Sequence, residues 1–113
     1  MPIVGIGRDG KAHDIKKPRG KTVRLKSGAK IRVRNFYFSK RNVLVRRGAR
    51  LKWNIRAKGQ GELHNVTLAS GPRGFASPNY RKHTFRYRFR KRGKYKIFCA
   101  LHPVSMTEVV TVR

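Results

Sequence analysis

Three side chains that bind soft or borderline metal ions lie within eight residues near the end of this chain. They are Cys99, His102 and Met106, and the chain holds no other cysteine and no other internal methionine. A fourth candidate, His64, stands far upstream at the start of a short apolar run. A cysteine and a histidine separated by two residues are a weak signal by themselves. A metal site is therefore indicated only when all four side chains are taken together.

The four side chains offer two imidazoles, one thiolate and one thioether. Two histidines and a cysteine in a trigonal arrangement, with a weak axial methionine, are the ligands of a blue-copper electron-transfer site. Thiolate favours Cu(I), imidazole suits both oxidation states, and the thioether helps to tune the reduction potential. The residue types therefore predict a site for one copper ion that alternates between Cu(I) and Cu(II), with the ligands His64, Cys99, His102 and Met106.

Other chemistries could use some of the same side chains. A structural zinc site is normally closed by four cysteine or histidine ligands, and here the fourth ligand would be a methionine. A nucleophilic pair of Cys99 and His102 would need a third orienting residue and an oxyanion loop, and neither is apparent. His13 beside Asp14 is interpreted as a solvated pair near the terminus. Copper is therefore the favoured prediction.

The segments that must position these ligands have the pattern of β-strands. Large apolar residues alternate with basic ones from Phe85 to Arg90, and Tyr95, Ile97 and Cys99 alternate in the same way. Pro103 ends this second run, so Cys99 closes a strand and His102 opens a loop. Similar runs from residue 22 onwards, separated by glycine turns, indicate about eight strands. We therefore predict an all-β Greek-key sandwich.

The domain organisation follows from length and composition. A chain of 113 residues fits one domain. Residues 1–21 mix glycine, proline and charged residues with few apolar ones, so we expect a lead-in that is partly ordered at best, followed by the sandwich at residues 22–113. No apolar run reaches the roughly 20 residues of a membrane helix, and no export signal is expected in the chain as given.

The charge of the chain is far outside the ordinary range. It has 30 Lys and Arg against 4 Asp and Glu, which gives a net charge of +26. Local ion pairs cannot neutralise this excess, so the protein should associate with anionic partners or counter-ions. Nucleic acid, anionic lipid, an acidic wall polymer and an acidic protein all meet that demand, and charge alone does not rank them. The predicted basic surface consists of Arg86, Arg88, Arg90, Lys91, Arg92, Lys94 and Lys96.

From about Ile31 to Arg113 the chain resembles the cupredoxins, particularly the small plastocyanin-like and amicyanin-like ones. The matching residues are spread over the predicted strands and the candidate ligand loops, and together they are specific although no single one is. They are Phe36 to Ser39, Val43, Val45, Gly48, Leu51 and Trp53, His64 to Val66, Phe85, Tyr87 and Phe89, and Gly93, Tyr95, Phe98, Cys99, His102 and Pro103.

The resemblance implies a copper site with Met106 as axial ligand and three further ligands, namely His64, Cys99 and His102. It implies that Asn65 stands behind these ligands and helps to tie the two ligand loops together. Its backbone N–H would point toward the thiolate sulfur and raise the reduction potential. The resemblance also implies electron exchange through the edge of His102, surrounded by an apolar docking patch of Phe75, Leu101, Pro103 and Val104.

The expected function is therefore a type 1 copper protein that carries single electrons and is not an enzyme. The resemblance implies a location outside the cytoplasm, either periplasmic or on the cell surface. We also expect a monomer, and the charge predicts an acidic redox protein as its partner. The first alternative is a copper-binding module for storage, delivery or sensing. The second is a basic domain that binds polyanions or an anionic membrane surface, with nucleic-acid binding expected to be weak and independent of base sequence.

Overall fold

The computed structural model describes residues 18–59, 61–102 and 105–113. Within these ranges the chain forms nine strands and no helix, which confirms the prediction of an all-β sandwich. No helix in this part of the chain is long and apolar enough to cross a membrane. The strands are β1 (Thr22–Arg24), β2 (Lys30–Arg34), β3 (Tyr37–Phe38), β4 (Asn42–Val45), β5 (Arg50–Arg56), β6 (Thr67–Ser70), β7 (Lys82–Arg88), β8 (Gly93–Phe98) and β9 (Thr107–Val112).

Most of the predicted lead-in cannot be compared with the structure. Residues 1–17, which include the pair His13 and Asp14, lie outside the described residues. The division of the chain at residue 22 therefore stays a prediction. At the described start of the chain, the side-chain amide of Asn42 donates hydrogen bonds to the carbonyls of Pro18 and Gly20, at 3.0 and 3.1 Å. These bonds attach residues 18–20 to the first residue of β4.

The strands form two mixed sheets. One has five strands in the order β1-β4-β9-β8-β6, and the other has four in the order β3-β2-β5-β7. In the first sheet β8 and β9 are antiparallel, with Phe98 opposite Thr107 at the end of the pair. The connection between these two strands contains Cys99, His102 and Met106. The pairing of β8 with β9 therefore places three of the four predicted ligands at one end of the sandwich.

The core lies between the two sheets and follows the period of two along each strand. In β5, the side chains of Leu51, Trp53 and Ile55 are fully buried while the alternate residues are exposed or half-buried. Tyr95 and Ile97 of β8 are buried in the same cluster from the opposite sheet. Since full burial of one large apolar side chain contributes about 1.5–3 kcal/mol, this interlayer packing is the main stabilising term.

Phe75 belongs to this core, in contrast to its expected place in a docking patch beside His102. Only 9% of Phe75 is exposed. Its ring stacks on that of Tyr87 with a centroid distance of 4.1 Å, and it also faces Phe89 edge-on. Phe75 is the one large apolar side chain of its loop, and packing it into the aromatic cluster removes more apolar surface from water than a place at the rim would.

The apolar run through Phe36, Tyr37 and Phe38 does not continue β2, because the chain turns at Asn35 and Phe36. It returns as the short β3, which pairs antiparallel with β2, so that Phe38 lies opposite Val33. The turn brings Asn35 and Phe36 to the end of the sandwich where the predicted ligands lie.

Glu108 is a carboxyl group buried on the inner face of β9. Its Oε1 accepts a hydrogen bond of 2.9 Å from the indole N–H of Trp53, and its Oε2 has no partner among the described residues. Burial raises the pKa of Glu108 to about 8, although the hydrogen bond from Trp53 acts in the opposite direction. In the folded protein this side chain is therefore mostly protonated and neutral at pH 7.

The contribution of Glu108 to the free energy of unfolding of the metal-free protein should fall as the pH rises from about 4.5 to about 8. In this range the folded state keeps a proton on Glu108 that the unfolded chain releases, so the contribution is fully present below pH 4.5 and lost above pH 8. In Glu108→Gln the side chain at this position is neutral at every pH. The pH-dependent fall in the free energy of unfolding, on the order of a few kcal/mol, should therefore be absent from this variant, and urea unfolding at several pH values measures it.

The matched control for this measurement is Glu62→Gln, because Glu62 is the other carboxylate side chain in the described ranges and is partly exposed. The control variant should keep the slope of stability against pH that the parent protein shows. An identical slope in the parent protein and in Glu108→Gln would contradict the assignment of the pH dependence to the buried carboxyl group.

Candidate metal centre

His64, Cys99 and His102 come together at one end of the sandwich. One ligand atom from each side chain lies within 4.8 Å of the others. The sulfur of Cys99 is 3.6 Å from Nδ1 of His102, and the rings of the two histidines have centroids 5.3 Å apart. Cys99 and His64 are buried, while His102 is half-buried. The structure thus brings a histidine that is distant in sequence to the cysteine loop.

The loop between β8 and β9 is closed by backbone hydrogen bonds among three predicted ligand residues. The N–H of Cys99 donates to the carbonyl of Met106 at 3.0 Å, and the N–H of Met106 donates to the carbonyl of His102 at 3.1 Å. The N–H of His102 donates back to the carbonyl of Cys99 at 2.9 Å. The side chain of Met106 is fully buried. These bonds link the backbones of the three residues directly to one another.

A hydrogen bond to Asn35 fixes the ring of His64. Nε2 of His64 lies 2.8 Å from Oδ1 of Asn35, and the amide nitrogen of Asn35 donates to the carbonyl of Lys58 at 2.7 Å. Because the oxygen of Asn35 can only accept, Nε2 of His64 carries the proton and donates it. Nδ1 is then left with a lone pair, and it is buried with no partner among the described residues.

The protonation state of His64 is also suited to binding a metal. Burial is the main cause that lowers its pKa, and the neighbouring His102 lowers it further, while Glu62 acts in the opposite direction. The neutral form of the imidazole is thereby favoured. Since a ligand histidine must be neutral and a buried acceptor normally has a partner, the free Nδ1 of His64 fits a position for a metal ion.

His102 presents one edge of its ring to the site and the other to the surface. Its Nδ1 faces Cys99, whereas its Nε2 lies 3.4 Å from a carboxylate oxygen of Glu62. The ring of Phe36 covers part of His102, with a centroid distance of 4.8 Å. The exposed fraction of the His102 side chain is 22%. His102 is therefore the described part of the cluster that reaches the solvent.

Asn65 connects the two segments that carry the cluster. Its backbone N–H points at the sulfur of Cys99 from 3.5 Å, which is the contact that the cupredoxin resemblance implies. Its side-chain oxygen accepts hydrogen bonds of 2.8 Å from the backbone N–H of Ala100 and from the hydroxyl of Thr67. Asn65, which follows His64, thus links the His64 segment to Ala100, which follows Cys99. Its backbone N–H dipole also points at the sulfur of Cys99.

Three exposed apolar residues lie beside the histidines of the cluster, and we call them the apolar rim: Phe36, whose ring contacts His102, Leu63, which precedes His64, and Leu101, which precedes His102. Their exposed fractions are 44%, 37% and 46%. Leu101 was expected in a docking patch, while Pro103 and Val104 of that patch lie outside the described residues. Phe36 and Leu63 were not expected there. Phe36 could have been suspected only from an apolar run that continues past the turn at Asn35.

Sequence reasoning also missed Asn35 and Glu62 as neighbours of the histidines. Asn35 carries no signal of its own in a run of basic and aromatic residues. Glu62 did offer one, because it is an isolated acid in a chain where basic residues outnumber acidic ones by 30 to 4. Such an acid has many cations to pair with, so its contact with His102 depends on the tertiary structure.

The predicted basic surface is divided between the two sheets. Arg86 and Arg88 lie on β7 in the four-stranded sheet, whereas Lys94 and Lys96 lie on β8 in the five-stranded sheet. The residues between them, which include Arg90, Lys91 and Arg92, connect the two layers. One continuous basic segment of sequence therefore contributes to two different faces of the molecule.

No family model matches the chain, and no curated protein matches it. Solved structures do match. An amicyanin variant in the Cu(I) state is 24% identical, with a TM-score of 0.61 over 76% of this chain and 83% of its own. A purple cupredoxin from Nitrosopumilus maritimus is 23% identical, with a TM-score of 0.63 over 75% of this chain and 99% of its own.

A Cu-containing nitrite reductase from Thermus scotoductus SA-01 matches with a TM-score of 0.66 and 19% identity. The match covers 81% of this chain, which spans only 28% of the nitrite reductase chain. These similarities are all below 25% identity and concern the fold. They agree with the resemblance that the residues of the sandwich and of the ligand loops indicate.

Asn35→Ala should weaken Cu(II) binding about 10- to 100-fold, because loss of a hydrogen bond behind a ligand histidine typically has an effect of this size. Asn35→Asp keeps an oxygen that accepts from Nε2 of His64, so it should bind more tightly than Asn35→Ala. Competition with a chelator of known affinity measures both variants, and thermal unfolding checks that they fold. Equal affinity of Asn35→Ala and the parent protein would show that Asn35 does not position His64.

Proposed function

Because the chain has the cupredoxin fold, we propose that it binds one copper ion and acts as a one-electron carrier rather than an enzyme. The ligands in this proposal are His64, Cys99 and His102, with Met106 as the axial ligand. The observation that carries it is the buried Nδ1 of His64, which has no described partner and lies in a cluster with the sulfur of Cys99 and the ring of His102. This donor set matches the preference of type 1 copper for imidazole and thiolate.

Copper bound at this site would supply the one-electron couple, and the protein would supply its ligands and their surroundings. The Asn35 side chain keeps Nδ1 of His64 unprotonated through its bond to Nε2. The N–H of Asn65 stabilises negative charge on the sulfur of Cys99, which favours a higher reduction potential. Since both residues are anchored by further hydrogen bonds, the ligands need little movement between oxidation states.

Electron exchange is proposed to occur through the exposed edge of His102. The apolar rim lies beside the histidines at this end of the sandwich and would exclude water from the contact with a partner. In this proposal the partner is an acidic redox protein, attracted by the net charge of +26, and the association should weaken as the salt concentration rises. A monomeric carrier outside the cytoplasm, periplasmic or on the cell surface, is part of the same proposal and rests on the resemblance to cupredoxins.

Addition of Cu(II) to the purified protein should produce intense visible absorption from charge transfer between the Cys99 thiolate and the metal. One equivalent of copper should saturate the band. Cys99→Ser should lack it, because a hydroxyl is not a soft thiolate donor. A colourless protein that takes up no stoichiometric copper would refute the proposed site.

Cyclic voltammetry of the copper-loaded protein distinguishes a carrier from a module for storage, delivery or sensing. A carrier should give a reversible wave, because the buried ligands hold their positions in both oxidation states. Slow or irreversible electron exchange in a protein that nevertheless binds copper would favour the storage or delivery function.

Met106→Gln tests the axial ligand through the reduction potential. A harder oxygen donor stabilises Cu(II) relative to Cu(I), so the potential should fall if residue 106 coordinates the metal. Met106→Leu removes the donor while keeping an apolar side chain of similar size, so it should raise the potential. Voltammetry of the two variants is the measurement. Shifts of the same sign and size in both would mean that Met106 acts by packing alone.

A further inference from the structure

The outer face of the four-stranded sheet is a two-dimensional array of cations. β2, β5 and β7 each place three basic side chains on this face: Lys30, Arg32 and Arg34, then Arg50, Lys52 and Arg56, then Lys82, Arg86 and Arg88. The register aligns Lys30, Lys52 and Arg86 in one row across the three strands. At ordinary strand dimensions the array covers roughly 10 by 20 Å. We call it the cationic face.

The register of β5 and β7 places like charges directly opposite each other. Three of the outward pairs are cation against cation, namely Arg50 with Arg88, Lys52 with Arg86, and Arg56 with Lys82. The remaining outward pair, Asn54 and Thr84, is neutral. Like charges at directly opposed positions destabilise an antiparallel pair. The sheet therefore carries an electrostatic repulsion that a bound anionic surface would relieve.

No described acidic side chain neutralises the cationic face. Of the two carboxylate side chains in the described ranges, Glu108 is buried on the inner face of the other sheet and Glu62 lies beside His102. Arg34 donates to the carbonyl and side-chain oxygens of Asn54, and Arg88 donates to the carbonyl of Gly48. These bonds orient two guanidinium groups without cancelling their charges.

The opposite side of the sandwich is different, so the charge is not spread evenly. The outward positions of the five-stranded sheet are mostly neutral, among them Asn42, Leu44, Val109 and Thr111. The basic residues at its described outward positions are Arg24 of β1 and Lys94 and Lys96 of β8. One broad side of the molecule is thus much more positive than the other, and an anionic surface would bind it in one orientation.

We propose that the cationic face adsorbs the protein onto the surface of an anionic lipid bilayer. A bilayer leaflet presents its charges over a plane, so it can meet all rows of the array at once, whereas a single extended polyanion strand follows one row. Basic residues near an anionic leaflet each contribute to binding, and the attraction falls off within a Debye length. The proposal depends on this face alone and is independent of copper binding.

The aromatic residues of the sheet support adsorption over base recognition. Trp53, Phe85 and Tyr87 face the core, so they offer no stacking platform to nucleic-acid bases. Tyr37 on the edge strand β3 is opposite Arg34 and is partly exposed. A single tyrosine at the margin of a cationic surface suits the headgroup region of a bilayer. Since the described residues of this face form no apolar patch, the protein would rest on the leaflet rather than insert into it.

The orientation also leaves the metal centre accessible. The cationic face runs along the side of the sandwich, and its end at Arg56 and Lys82 is near the segment where His64 bridges to Tyr80. The cluster of His64, Cys99 and His102 lies at the end of the sandwich, beyond this edge. A protein that lies on the membrane by its broad side would therefore keep the apolar rim free for lateral contact.

Vesicle co-sedimentation with the metal-free protein tests the proposal. The probes are vesicles of phosphatidylcholine with about 30% phosphatidylglycerol, and vesicles of phosphatidylcholine alone. The protein should bind only the anionic vesicles, and binding should fall steeply as the salt concentration rises from about 50 to 300 mM. Failure to bind the anionic vesicles at the lowest salt would overturn the proposal.

Two variants of equal net charge separate the cationic face from the total charge. The face variant removes four cations of the array by Lys30→Gln, Arg32→Gln, Lys52→Gln and Arg86→Gln. The control variant removes four exposed cations outside the four-stranded sheet by Arg24→Gln, Arg47→Gln, Lys91→Gln and Lys94→Gln. The face variant should lose about tenfold or more in vesicle affinity and the control about threefold or less. Equal losses would overturn the assignment to this face.

Lysine acetylation followed by mass spectrometry tests the same orientation in the unmodified sequence, so it does not depend on how the variants fold. Anionic vesicles should protect Lys30 and Lys82 on the face more than Lys26 and Lys94, and uniform protection would contradict the proposal. Binding of the face variant to a short DNA duplex gives a further arm. If the face variant lost duplex binding but kept vesicle binding, the face would be assigned to nucleic acid instead.

Discussion

A buried histidine acceptor that has no partner among the described residues is the constraint on which the end of this sandwich depends. Such an acceptor, Nδ1 of His64, is unfavourable in the interior unless a ligand binds it. Asn35 holds the ring in this orientation, since it bonds Nε2 and is itself bonded to the backbone at Lys58. The same end of the structure orders the cysteine loop by its own backbone bonds and links it to the His64 segment through Asn65. These contacts keep the candidate ligand atoms of His64, Cys99 and His102 close to one another, as expected of a site preorganised for a metal ion.

The fold and part of the site could be predicted because both depend on short-range patterns. Alternation along Leu51, Trp53 and Ile55 indicates a strand whichever sheet it joins, and the spacing of Cys99 and His102 fixes a loop between strands. The sheet to which a strand belongs could not be predicted in this way. The basic residues of β7 and β8, which are consecutive strands, were expected to form one surface. They belong to separate layers, and nothing local in Arg90 to Arg92 distinguishes a turn within a sheet from a crossing between sheets. Asn35 and Glu62 were missed for the same reason, because their partners come from other segments.

Phe75 shows the limit of a resemblance more clearly. An apolar residue in a loop near a site can lie at the rim or in the core, and composition does not decide between them. Here the aromatic cluster around Tyr87 and Phe89 takes the ring, and the turn after β2 supplies Phe36 at the rim instead. Exposed apolar residues do lie beside His102, while three of the four residues expected in the docking patch are buried or lie outside the described ranges. The chemistry of a site constrains residue types more strongly than the positions from which they come.

The excess charge and the cluster of candidate metal ligands occupy separate parts of the same framework. The inward positions of β2, β5 and β7 build the core that supports the cluster, and the outward positions of the same strands carry the cations. Since a strand sends successive side chains to opposite faces, the two sets can change independently without altering the register. Mutual repulsion of the cations lowers the stability of the sheet, but the interlayer packing of Trp53 and its neighbours offsets it. The like charges repel one another along the broad side of the four-stranded sheet. His64, Cys99 and His102 meet at the end of the sandwich, so a basic face is compatible with an ordered ligand cluster.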